Sequence, residues 1–243
     1  MTVFWKRSRY LIIILLAALF FSCSARIDGV LREGGAANLT LKTALEPATF
    51  TLLRSIMGFM REEGEKPVLD GEAIGRSISS APGIRSVSLK NTSSASIEGS
   101  ISLTNVGDFL ALKDGSAKSR FITYTEGRTT GSSSITIRLD KASAPEIISM
   151  LSPEVEDYLS VLMAPVVLGD TSTKQEYLDL LASIYGRPLS NEIAEAKIRV
   201  FIEFPRPVTA VRGGTATGKQ AEFSVPLLDI LVLEQALQYQ IYW

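Results

Sequence analysis

The chain has 243 residues, with 25 Lys and Arg against 26 Asp and Glu, one cysteine and no histidine. Without histidine the commonest general base and the commonest metal ligand are both missing, which excludes Ser-His and Cys-His hydrolysis and leaves oxygen-ligated calcium or magnesium as the remaining metals. No D-x-D-x-D-G loop supplies such a site, and a lone cysteine makes no internal disulfide.

Lys6, Arg7 and Arg9 precede an unbroken apolar run over residues 11–21, and Ser22 puts a small residue directly before Cys23. The run is too short for a membrane span, which needs about 20 residues, and has the length of a signal h-region. Residues 1–22 are therefore expected to be an export signal and Cys23 the lipid attachment site. The quartet Phe20-Phe21-Ser22-Cys23 resembles the lipobox of bacterial lipoproteins in the relaxed form that spirochaetes use. That resemblance implies a thioether-linked lipid on Cys23; an ordinary cleaved signal with a buried free thiol is the alternative. Loss of the three basic signal residues leaves 22 Lys and Arg against 26 Asp and Glu, a net charge of −4. An acidic balance without long runs of like charge argues against nucleic acid, and equally against anionic lipid surfaces.

Residues 23–243 read as a single α+β domain, in which 24–142 carry a hairpin, helices and central strands, 143–192 a helical block, and 193–243 the C-terminal strands. Ile27, Gly29 and Leu31 alternate with Asp28, Val30 and Arg32, and Leu39 and Leu41 with Thr40 and Lys42, on either side of Gly34-Gly35, which predicts a hairpin. From Pro47 the period becomes helical: Phe50, Leu53, Met57 and Met60 form a stripe widened by Leu52, Ile56 and Phe59. Asp70 is placed to cap a shorter helix carrying Ile74 and Ile78, ended by Ala81-Pro82-Gly83. Val87 and Leu89, then Ile97, Ile101 and Leu103, predict two strands around a turn at 91–95, with Ser and Thr on a wet face. A helical turn over 105–112 before Asp114-Gly115 leads to strands at 121–124 and 135–139, joined by a mobile loop containing Gly127 and Gly131.

The block from 144 to 186 is helical by period. Ile147, Ile148 and Leu151 begin it, Ser152-Pro153 restarts it, and Val155, Tyr158, Leu159, Leu162 and Met163 continue the stripe. A further helix has capping-box spacing from Thr173 to Glu176, carries Tyr177, Leu178, Leu181, Ile184 and Tyr185, and stops at Gly186 with Pro188 beyond. Period two then returns in Ile198, Val200, Ile202 and Phe204, in Val208 and Ala210, and in Ala221, Phe223 and Val225 before Pro226. Leu237, Tyr239, Ile241 and Trp243 share one face of a last strand, which must be buried against the core or against a ligand.

Gly213, Gly218 and Lys219 match the core of a phosphate-binding loop. Gln220 replaces the Ser or Thr that magnesium needs, and a strand rather than a helix follows, so the stretch reads as a hairpin turn. The segment Phe204-Pro205-Arg206-Pro207-Val208, followed by Gly213-Gly214, an alternating strand and Trp243, resembles the C-terminal part of the LppM-like domain of bacterial lipoproteins. The resemblance spans about residues 197–243, and implies an α+β envelope domain that binds lipid or glycolipid and brings no catalytic residues.

The expectation is a non-enzymatic lipoprotein of the cell envelope, anchored through Cys23 on the periplasmic or surface face of a membrane and binding a lipid or other amphiphile. No catalytic, cofactor-binding or metal-ligating residue is singled out, and no cofactor is expected. Two alternatives remain: a structural lipoprotein that docks on another envelope protein, and a carboxylate-dependent hydrolase. Cys23→Ala is expected to remain uncleaved by lipoprotein signal peptidase and to take up no radiolabelled fatty acid; equal uptake by variant and wild type contradicts the assignment.

Overall fold

The computed structural model describes residues 23–60, 68, 70–79, 81–110, 122–144 and 172–243. The expected signal at 1–22, the turn at Asp114-Gly115 and the helical stripes from Ile147 to Met163 lie outside these residues.

Strand β1 (Cys23–Leu31) alternates strictly, burying Ala25, Ile27 and Leu31 and turning Arg26 and Asp28 outward. It pairs antiparallel with β2 (Ala37–Leu45) from Cys23 opposite Leu45 to Leu31 opposite Ala37. The turn between them uses Gly34 and Gly35 at φ +79° and +78°, a left-handed backbone that costs glycine nothing. β3 (Ile84–Ser93) and β4 (Ser96–Leu103) form the second expected hairpin, with β4 against β2. The free edge of β1 takes β7 (Lys197–Glu203) in parallel, followed by β10 (Gln220–Pro226) and β9 (Gly214–Thr217). This gives a seven-stranded sheet in the order β3-β4-β2-β1-β7-β10-β9.

A second sheet has the order β5-β6-β11-β8, from β5 (Ile122–Thr125), β6 (Ser134–Leu139), β8 (Ala210–Arg212) and β11 (Leu237–Tyr242), all antiparallel. The fold is α+β, with two departures from the expected arrangement: two sheets instead of one, and one parallel pair. Alternation assigns each residue to a face, whereas partner choice is a long-range matter. A parallel join needs a long crossover, which the chain between β1 and β7 provides.

The helices cover the inner face of the large sheet. Helix α1 (Pro47–Met60) opens at its proline, and its first N–H groups are taken up by a carboxylate 144 residues away: Glu192 accepts from Ala48 N at 2.9 Å and from Thr49 N at 2.8 Å. The cap of α2 (Gly71–Ser79) is Asp70, which accepts from Ala73 N at 2.8 Å, and Ile78 is fully buried beneath it. Helix α3 (Val106–Leu110) is capped by Asn105. Helix α4 (Lys174–Tyr185) has the expected capping box between Thr173 and Glu176.

Two helices are not apparent in the sequence. Pro188, which reads as a terminator beyond Gly186, sits instead in the first turn of α5 (Arg187–Glu195), where its missing N–H costs nothing. Helix α6 (Leu227–Val232) is almost uniformly apolar and buried, so it lacks the period that marks an amphipathic helix. Buried residues from both sheets and from each of the described helices α1 to α6 belong to a common apolar cluster.

The loop expected to be mobile is tied down. Arg206 Nη2 donates to Gly127 O at 2.7 Å and to the buried Ser133 Oγ at 3.0 Å. Glu33 comes within 3.2 Å of Arg206 Nε, but off the N–H direction, so Nε and Nη1 make no hydrogen bond. Beside this cluster Trp243 is 1% exposed, its ring tilted against Phe204 at 4.7 Å between centroids and near Tyr124 at 6.3 Å, while its backbone exchanges hydrogen bonds with Ser133. Trp243→Ala is expected to cost about 3–5 kcal/mol in urea unfolding; a loss below about 1 kcal/mol would place the ring outside the core.

Candidate functional site

Between the two sheets lies a cavity of about 220 Å³. One wall is the inner face of the large sheet, with Leu39 from β2, Val200 and Ile202 from β7, and Phe223 and Val225 from β10. The facing wall is the dry side of the small sheet, with Ile122, Ile135, Ile137, Tyr239 and Ile241. Val106 and Phe109 of α3 and Ile230 of α6 close it. Gly29 on the inner face of β1 lets Leu39 and Ile202 close over the strand: a Cβ there would lie 3.0 Å from Leu39 and 3.5 Å from Ile202, so these two side chains fill the place a side chain would take.

The lining is apolar apart from β11. Gln240 belongs to the opposite face of that strand by alternation, where its amide donates to Thr136 at 3.2 Å and Tyr242 at 2.8 Å. Tyr239 is the polar side chain of the wall. Its ring meets Phe223 edge-on at 6.0 Å, and burial, helped by the charge of Asp229, pushes its hydroxyl up to about 12. The group therefore stays protonated at any physiological pH. Gly213 fixes the ring from behind: it has φ +79°, and a Cβ would come within 2.7 Å of Tyr239 Cδ1.

The expected lipid site, Cys23, is the first residue of β1, and its backbone is in register with Leu45. It lies in the sheet without a linker between it and the folded chain. The final strand divides between its two anticipated fates, since Tyr239 and Ile241 face the cavity whereas Trp243 is packed in the core. Lys219 lies in the turn between β9 and β10 and donates to Pro205 O at 2.8 Å, with a strand after it, as the hairpin reading requires. Among the described residues no Asp or Glu is buried, and no group of three potential ligands is placed to hold a metal. The paired buried carboxylates of a hydrolase are thus not found there. The sequence identified the dry faces that wall the cavity but not that they oppose one another.

No protein-family model matches the chain, and no curated protein matches it in sequence. Among solved structures it is similar to the solution structure of the folded domain of LppM from Mycobacterium tuberculosis, with a TM-score of 0.37 and 10% identity over 91% of this chain and 88% of that one. Nothing in these comparisons speaks to a spirochaete origin.

A dry cavity makes a clear demand on a charge placed in it. Ile137→Asp is expected to raise the new carboxyl's folded-state pKa above about 3.9, because burial disfavours the anion. The unfolded chain then releases the proton first, so stability should fall by up to about 1.4 kcal/mol per pH unit as pH rises above about 4. Urea unfolding from pH 4 upward that shows no added slope over wild type would mean that water solvates the site.

Proposed function

We propose that the chain is a lipid-anchored envelope lipoprotein, held on Cys23, whose cavity between the sheets takes the acyl part of a lipid or other amphiphile. The anchor is supported by the signal-like residues 1–22 and by the cysteine that directly follows them. The cavity carries the ligand half of the reading. Its volume of about 220 Å³ exceeds the roughly 150 Å³ that suffices for benzene in an apolar cavity. It falls short of the roughly 300–1,000 Å³ of pockets that enclose a whole drug-sized ligand. The fit is one acyl-chain segment, with the head group outside. The reading is non-enzymatic and needs no cofactor.

The assembly-partner alternative has one observation behind it. Leu180, Ile184 and Tyr185 on α4 are 49%, 60% and 43% exposed, and the first two lie one turn apart.

Titration with a fluorescent fatty acid separates the two. Wild type is expected to bind saturably at one site, and Val200→Phe, which fills the cavity, to bind about tenfold more weakly while losing no more than about 1–3 kcal/mol of stability. No saturable binding by wild type, or equal binding by Val200→Phe, counts against the cavity as the site.

A further inference from the structure

The outward face of the large sheet is polar, and its charges sort by row. Strand partners lie about 4.8 Å apart, so the register sets Lys42, Arg26 and Arg199 side by side on β2, β1 and β7. The same row continues through Glu98 on β4 to Lys90 on β3, and Lys197 lies nearer the start of β1, beside Ser24. All five cations are exposed. Asp28, Glu222 and Glu203 occupy rows farther from Cys23. The face is positive at the end where Cys23 begins β1 and negative at the other.

Like charges directly opposite one another across strands oppose folding. Arg26 offsets this by pairing with Asp28 at 2.8 Å and by lying 4.4 Å over the Phe201 ring, and Lys42 by pairing with Glu98 at 2.8 Å. Lys197 and Arg199 have no ion pair or hydrogen-bonding partner for their side chains among the described residues. A concave region of the surface is lined by the four cations Arg26, Lys42, Lys197 and Arg199 and by the two carboxylates Glu98 and Glu195.

We propose that this end of the sheet face docks on the anionic lipid headgroups of the membrane that carries the anchor. The proposal rests on the reading of Cys23 as the lipidated residue. Arg26 is three residues along β1 from Cys23, about 10 Å of strand, and Lys197 is beside Ser24. A lipid on Cys23 therefore holds the cations within about a Debye length of the bilayer surface, where each basic residue adds to binding. Composition argues against an anionic surface as a partner because positions 26, 42, 90, 197 and 199 are scattered along the chain. Strand pairing gathers them.

The test uses processed full-length protein, with its intact mass recording whether Cys23 carries lipid. Its partition coefficient is measured on vesicles of phosphatidylcholine alone and of phosphatidylcholine with phosphatidylglycerol, and the ratio of the two cancels the contribution of the anchor. The expected ratio at low salt is about 25, roughly fivefold for each of Lys197 and Arg199, the two unpaired cations on the strand beside β1, falling toward one in about 1 M salt, where the Debye length is about 3 Å. Lys197→Gln and Arg199→Gln should each lower the ratio about fivefold, and Arg128→Gln, on a distant loop, should leave it unchanged. A ratio near one at low salt, or one that neither substitution moves, overturns the proposal. A mass without lipid on Cys23 overturns the anchor reading alone, since the ratio still reports the cation row.

Discussion

The parallel pairing of β1 with β7 is the constraint on which the rest of the molecule depends. It joins a hairpin at residues 23–45 to strands that begin more than 150 residues later, in register from Ser24 opposite Lys197 to Val30 opposite Glu203. On the inner face this register lays Ile198, Val200 and Ile202 beside Ala25, Ile27 and Gly29, and all three β7 residues line the cavity. On the outer face it lays Arg199 beside Arg26. One set of backbone hydrogen bonds thus places a wall of the cavity on one side of the sheet and the accumulation of positive charge on the other. The pairing is reinforced from the helical layer, where the Glu192 carboxylate on α5 takes up the free N–H groups that open α1.

Much of this is legible wherever the information is local. Alternation in β1, β2, β4, β7, β10 and β11 assigns the dry residues to a face, Gly34-Gly35 marks a turn, and Asp70 and the Thr173 to Glu176 spacing mark helix starts, because these signals act within a few residues. Partner choice is not legible, and for that reason two opposed sheets read as one. Helix α6 is hidden because Leu227, Leu228, Ile230, Leu231 and Val232 are all buried, so the chain there carries almost no polar residue to set a period. Pro188 reads as an end because proline serves equally well at the first turn of a new helix, and only the chain direction after Gly186 distinguishes the two. The cavity and the cation row escape for a common reason: each is assembled from residues remote in sequence, and neither has a spacing to detect.

An unfilled core is costly, since a void forfeits the packing contacts of every side chain that lines it. The cost is concentrated here between the two sheets, while Trp243, Phe204 and Tyr124 pack closely at the adjoining end. That contrast within one cluster separates a site from a loosely packed core. Tyr239 lies at the boundary, with its ring held between Phe223 and Gly213 and its hydroxyl kept neutral by burial.

The central claim is that an acyl chain occupies the space between the sheets, and native mass spectrometry of the protein purified from a bacterial membrane tests it most directly. The account predicts a one-to-one complex whose added mass, beyond any lipid joined to Cys23, is released as a lipid when the protein is unfolded. A protein that flies only at its covalent mass, and stays there after incubation with excess membrane lipid, would contradict it.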